Sequence, residues 1–303
     1  MKSSGVAVGL VGCGRWGSFI LRDLVALGCE VHVVARSPAS VANAAAGGAS
    51  SIHPSIAGLS RGAVTLEGLI VATTAGQHYP VVMEVLQTFG PALPIFCEKP
   101  LATSIRDALK MAETARRLFV MDKWRYHPAI RKMAQARQTG EFGALVGLHA
   151  RRVQSGNPHL DVSPPWTYFP HDLSIALEVL GDLPHVTRAV SDHGDETVFA
   201  FLGDHPWTAI ECSTRALRKS REVTAHFERG ILSMTDPLAP TITLLPHDGL
   251  SRDLPVPGEM PLLAELRAFI GHIRGGPAPR STAADGVRIV RAIQDILSFA
   301  HAP

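Results

Sequence analysis

Two short stretches carry residue types that could do chemistry. In Ile95-Phe96-Cys97-Glu98-Lys99-Pro100-Leu101 an apolar run ends on a carboxylate and an amine just before a proline. Pro100 biases the preceding residue towards extended backbone, so a strand ending here would hold the Lys99 ammonium at its carboxyl edge, where open α/β sheets bind ligands. An amine in that place could give a proton to a carbonyl oxygen or take one from a hydroxyl. Alone, the same residues would also fit a surface lysine in a turn. The second stretch is Gly12-Cys13-Gly14-Arg15-Trp16-Gly17, between the apolar run Val6 to Val11 and the helical run Ser18 to Leu24. Gly12 permits a tight turn, Gly14 lets backbone approach a pyrophosphate, and Gly17 lets the helix pack on the sheet. The helix N-terminus then faces the phosphates, which points to a dinucleotide.

The elements that must position these groups alternate. Glu30 to Val34 reads as a second strand and leads to Ala35-Arg36-Ser37, about where such a unit reads the adenosine ribose. An NAD-preferring chain usually has a carboxylate there. Ala35 removes its repulsion of a 2′-phosphate and Arg36 offers charge-assisted hydrogen bonds, so NADP(H) is expected over NAD(H), although Arg36 could also simply face solvent. Residues 42–62 are alanine- and glycine-rich, with helical potential and then a loop. A strand over Leu66 to Ala72 ends in Thr73 and Thr74, small hydroxylated residues suited to a loop beside the cofactor. Helices are expected over Val81 to Phe89 and, capped by Ser104, over Ile105 to Leu118.

After residue 121 the pattern changes. Strand candidates at 145–153, 197–202, 207–212, 222–227 and 241–245 are separated by turn residues, which argues for a second architecture. The boundary is placed there, giving a dinucleotide-binding domain over 1–121 and a domain for substrate and subunit contacts over 122–303. In the second, Trp166 to Ile175 precedes an apolar helix over Ala176 to Leu180. His171 is expected at that helix's N-terminus, where the dipole disfavours imidazolium, and Asp172 as compensation for the dipole.

Composition narrows the classes. Of 303 residues 46% are hydrophobic and 18% charged, enough for two cores. Lys plus Arg (29) nearly balance Asp plus Glu (27), so no polyanion-binding surface and no nucleic-acid partner are expected. Cys13, Cys29, Cys97 and Cys212 have no CxxC or His/Cys spacing and read as reduced, mostly buried thiols, with no disulfide frame and no metal. No apolar run has membrane-spanning length and no leader-like segment opens the chain, so the expected setting is cytoplasmic, with a small molecule as the main partner.

Taken in order, several motifs resemble the Gfo/Idh/MocA family of oxidoreductases. They are the glycine loop, Val71-Ala72-Thr73-Thr74 with His78, Glu98-Lys99-Pro100, Trp124-Arg125-Tyr126-His127-Pro128, Gly140-Glu141-Phe142-Gly143 and, near the end, Pro261 to Leu266 and Asp285-Gly286-Val287. The resemblance implies a Rossmann domain followed by an α/β domain with a large, mostly antiparallel open sheet that often pairs subunits, here as a homodimer or homotetramer. It implies a cofactor site at Gly12, Gly14, Arg15, Trp16, Gly17, Ala35, Arg36, Ser37, Thr73, Thr74, His78, Glu98 and Lys99. It places Lys99 and His171 in the reaction. Members usually carry an aspartate four residues before that histidine; here Thr167 stands there, able to hydrogen-bond a hydroxyl but not to take its proton. Acid–base work would then fall to Lys99 and His171. Arg125, Tyr126, Arg152, Trp166 and Tyr168, with Arg151, Gln154, Asn157 and His159, would line a site for a polyhydroxylated ligand.

The sequence around His171 looks closest to members acting on nucleotide-linked N-acetyl sugars. The implied activity is hydride transfer between the nicotinamide of NADP(H) and a carbinol or keto carbon of a sugar, sugar derivative or nucleotide sugar. The alternatives are a reductase of another carbonyl or imine, and a regulatory protein that binds dinucleotide without turnover.

Overall fold

The computed structural model describes residues 5–62, 64–158 and 161–302. They form two compact units, one built from the described residues of 5–123 and 262–287, the other from those of 124–261 and 288–302.

Six parallel strands make the sheet of the first unit: β1 (Ala7–Val11), β2 (Glu30–Val34), β3 (Ser51–His53), β4 (Gly68–Val71), β5 (Ile95–Glu98) and β6 (Leu118–Met121), in the order β3-β2-β1-β4-β5-β6. β1, β4, β5 and β6 are buried along their whole length, as expected of strands covered on both faces. Helices α1 (Arg15–Ala26), α2 (Pro38–Ala46), α3 (Ile56–Ser60), α4 (His78–Phe89) and α5 (Ile105–Thr114) connect them. This is the doubly wound order, and its switch point lies between β1 and β4.

Four local expectations are revised. Helix α4 starts at His78, three residues before the expected Val81. Helix α5 ends at Thr114, and Leu118 opens β6, an apolar run of four that is too short for its period to separate strand from helix. The stretch expected to be helix and loop also holds β3 and α3. Residues 262–287 belong to the first unit rather than following 122–261 into the second. They include most of α8 (Pro261–Ile273), whose Leu262, Leu266, Phe269 and Ile270 join the core formed by Phe96, Phe119 and Met121; Phe269 stacks on Phe96 with ring centroids 4.9 Å apart.

The second unit is organised on an eight-stranded sheet of order β14-β13-β12-β11-β7-β10-β9-β8. Its strands are β7 (Leu145–Ser155), β8 (Val186–Asp192), β9 (Thr197–Leu202), β10 (Trp207–Ser213), β11 (Arg215–Phe227), β12 (Gly230–Met234), β13 (Thr241–Pro246) and β14 (Arg252–Pro255). Only the β7–β10 pairing is parallel, so the sheet is mostly antiparallel as expected. Alternation along β9 buries Val198, Ala200 and Leu202 and leaves Phe199 and Phe201 exposed. The buried side meets α6 (Pro128–Thr139), α7 (Pro164–Leu180) and the later part of α9 (Ala283–Ala300) in one apolar core. All four cysteines are buried and free, as their contexts suggest.

Candidate active site

In the first unit, the glycine turn leaves β1 with Gly12 at φ +97°, and a Cβ there would lie 2.6 Å from the Ala72 oxygen. Gly17 is equally constrained, since its Cβ would fall 2.3 Å from the Gly12 oxygen. Gly14 instead has open space around it and N-caps α1 without a side-chain cap. The first amides of that helix therefore remain available to an anion, which is what a dinucleotide pyrophosphate needs. Asn43, on α2, donates to the Cys13 oxygen at 3.0 Å and braces the turn; the sequence reading missed it.

Around the turn, Ala35 is buried and Arg36 and Ser37 are exposed just past β2. The Ser37 hydroxyl is engaged in a capping box with Ser40. Arg15 is exposed on α1. The Thr73 hydroxyl, past β4, is buried with no hydrogen-bond partner among the described residues, while Thr74 is exposed. His78 is enclosed, its Nδ1 2.7 Å from the Pro100 oxygen and its Nε2 3.2 Å from the Thr73 oxygen. It thereby links the loops after β4 and β5. An open, anion-ready turn, an orphaned hydroxyl and a solvent-facing guanidinium fit a dinucleotide.

At the end of β5, Glu98 is buried and Lys99 half-buried, joined to Pro100 by a cis peptide. Glu98 accepts from the Trp16 indole and, at 3.1 Å, from the Lys99 amide. Lys123, past β6, sets its ammonium 4.3 Å from the centre of a Trp16 ring. Burial raises the Glu98 carboxyl above its ordinary pKa, opposed by Lys99, Trp16 and Lys123. Two further buried carboxyls complete the cluster, Asp122 and Glu265, the latter fully buried on α8. Burial, with Glu98 and Asp122 adding to it, pushes Glu265 well above the carboxylate range. Sequence reasoning missed Lys123, Asp122 and Glu265; the available signal was a glutamate on the apolar stripe Leu262, Leu266, Phe269.

The second unit's candidates divide into braced and half-buried groups. Helix α7 begins at Pro164 behind Ser163, because prolines are tolerated in the first turn, and runs through Pro170 to Leu180. His171 is therefore inside the helix rather than at its N-terminus, and the dipole argument for a neutral imidazole does not apply. Its ring is 6.4 Å from that of Trp124, edge to face. Asp172 does not compensate a first turn either: it is buried and takes a two-pronged bond from Arg152. Arg152, expected to line the ligand site, is itself buried and lies over the Trp124 ring at 4.7 Å. Arg125 is ion-paired to the buried Glu178 at 2.9 Å, and Arg151 to Glu211 at 2.9 Å.

Thr167 is also buried, donating from Oγ1 to Asn157 Oδ1 at 3.1 Å. Tyr168 donates to the Gly156 oxygen at 3.3 Å, and burial raises its phenol to about 12. Gln154 donates to the same oxygen at 3.2 Å. Tyr126, Trp166 and His171 are half-buried. His159 lies outside the described residues. Among the described residues, no group of three or more His, Cys, Asp or Glu side chains could hold a metal ion.

Residues 6–121 match the oxidoreductase family with an NAD-binding Rossmann fold, GFO_IDH_MocA. Inositol 2-dehydrogenase 2 of Saccharopolyspora erythraea is 26% identical over 185 residues, 57% of this chain and 53% of that protein. Inositol 2-dehydrogenase 3 of the same organism is 32% identical over 152 residues, 48% of this chain and 44% of that protein. The chain thus spans about half the length of the curated relatives it matches. A levoglucosan dehydrogenase solved with NADH and levoglucosan superposes with a TM-score of 0.85 at 14% identity, covering 98% of this chain and 97% of the other. The UDP-N-acetylglucosamine 3-dehydrogenase of Acidithiobacillus ferrooxidans gives 0.81 at 20% identity, with 98% of both chains covered. At such identities the likeness shows the fold. The six-stranded Rossmann sheet and the glycine turn lie within residues 6–121, the stretch that is similar to the NAD-binding Rossmann fold of the Gfo/Idh/MocA oxidoreductases.

Proposed function

We propose that the chain is an NADP(H)-dependent oxidoreductase acting on a CH–OH or C=O carbon of a sugar, sugar derivative or nucleotide sugar. The observation that carries this is the pairing, within one unit, of an open glycine turn with a lysine held at the end of β5 by a buried carboxylate. Nicotinamide bound at that unit would give or accept the hydride. Lys99, as an ammonium, donates a proton to the forming alkoxide in reduction; as an amine, it accepts the hydroxyl proton in oxidation. Glu98, fixed by Trp16 and the Lys99 amide, orients the backbone that carries the amine. Ala35 and Arg36 favour the 2′-phosphorylated cofactor.

His171, Tyr126 and Trp166 are the second unit's candidates for holding substrate hydroxyls. The inositol, levoglucosan and UDP-N-acetylglucosamine named for the relatives are all ring polyols, which supports a substrate of that class. One observation favours a second reading, a reductase of another carbonyl or an imine: the Thr167 hydroxyl is committed to Asn157 where members usually have an aspartate. Absorbance change with NADP⁺ and NADPH across polyols, sugars, nucleotide sugars and keto or imino compounds separates the two. Turnover confined to the keto or imino set would overturn the sugar reading.

A further inference from the structure

The apolar stripe of α8 carries one residue that does not belong there by chemistry. Glu265 lies between Leu262 and Leu266, with 0% of its surface exposed, and neither carboxyl oxygen has a hydrogen-bond partner among the described residues. Three groups face it from neighbouring elements: Glu98 at the end of β5, Asp122 just past β6, and Lys123. Lys99 in turn faces Glu98. Ionising a carboxyl that is buried without a hydrogen bond is strongly unfavourable. The charges agree with that cost. Three carboxylates against two ammonium groups would leave one negative charge in excess inside the unit, and a neutral Glu265 removes it.

The cluster sits where strands β5 and β6 end, paired through Glu98 and Met121, at the edge where this fold takes its ligand. Reduced nicotinamide is neutral and oxidised nicotinamide carries one positive charge. With the oxidised form bound, an ionised Glu265 would be balanced.

We propose that Glu265 responds to the redox state of the cofactor: neutral in the free protein, it releases its proton to solvent when the oxidised dinucleotide binds and keeps it when the reduced form binds. This rests on the dinucleotide reading above. The step is a single ionisation, carboxylic acid to carboxylate plus a proton in water, with no electron transferred. Glu265 acts as a positioning residue: ionised, it would hold the oxidised ring and the Lys99 and Lys123 ammonium groups in one balanced array.

The test is calorimetric titration of the full chain with NADP⁺ and with NADPH in buffers of different ionisation enthalpy, which reads protons released on binding. The 2′-phosphate is common to both nucleotides and cancels in the comparison. Release is expected with NADP⁺ only, and is expected to be lost in Glu265→Gln while that variant still binds. Equal release with both nucleotides, or release that persists in Glu265→Gln, which would assign the proton to the Lys99 amine, would overturn the proposal. Absence of binding by either nucleotide would refute the cofactor reading itself. If Glu265→Gln does not fold, the infrared carbonyl band of a protonated carboxyl settles the matter. It should move in Glu265→Asp and bleach when NADP⁺ binds; a band that does neither removes the proposal.

Discussion

Arg152 on β7 and Asp172 on α7 form a buried fork, with Nε and Nη2 donating to the two carboxylate oxygens at 2.8 to 3.2 Å. Trp124 lies against the guanidinium. Removing only this cation leaves the Asp172 carboxylate buried without its hydrogen-bonded partner and with only the charge of Arg221 acting on it, and breaking a buried pair typically costs about 3 to 5 kcal/mol. Arg152→Leu should therefore lower the denaturant midpoint markedly, and Arg152→Leu combined with Asp172→Leu should recover much of the loss. A midpoint for Arg152→Leu equal to that of the parent chain would show that the pair does not hold α7 to the sheet.

A pH dependence follows from Glu265. Its folded pKa is raised well above the ordinary 4.5, chiefly by burial, while in the unfolded chain it ionises at its ordinary value. The unfolded state thus binds fewer protons between those two pKa values, so this group subtracts stability as pH rises from about 4.5 and stops doing so above its folded pKa. Thermal melts of Glu265→Gln and the parent should therefore diverge as pH rises through that window, with the variant the more stable at neutral pH. A constant difference between the melts from pH 4 to pH 8 would contradict the assignment.

Most of the first unit could be read from the sequence because its signals are local: glycine spacing, four-residue apolar runs, and Ser104 capping α5. What escaped is what only packing decides. Leu118 to Met121 became β6 because it pairs with β5, and α8 returned to the first unit because its apolar face completes the core around Phe96. The site shows the same division. Lys99 follows from a strand ending before a proline, whereas the commitments of Arg152 to Asp172 and of Thr167 to Asn157 depend on partners 20 and 10 residues away. The start of α7 was misplaced because Pro164 and Pro165 were not recognised as a first helical turn.

The proposed preference for NADP(H) is tested at Arg36, which is exposed beside the buried Ala35. Loss of a charge-assisted bond to a 2′-phosphate costs about 1.5 to 3 kcal/mol, so Arg36→Ala should weaken NADPH by roughly tenfold or more and leave NADH nearly unchanged. Fluorescence titration measures both. Equal affinities of the parent chain for the two nucleotides would rule out the assignment.

The outer face of the large sheet gathers Val190, Phe199 and Phe201, 45%, 42% and 42% exposed, with Val190 and Phe199 directly paired across β8 and β9. We infer that a second copy of this face covers it, giving a homodimer or a homotetramer. Light scattering should report an oligomer at micromolar concentration, and Phe199→Glu with Phe201→Glu should yield a folded monomer. A parent chain that is monomeric throughout would end this inference.

Lys99 is the group proposed to move the proton. With one substrate established from the panel, stopped-flow and steady-state kinetics of Lys99→Met test it most directly. The expected result is dinucleotide affinity close to that of the parent chain and a turnover number lower by about a hundredfold to ten-thousandfold, the usual scale of general acid–base catalysis. An unchanged turnover number in Lys99→Met would contradict the mechanism.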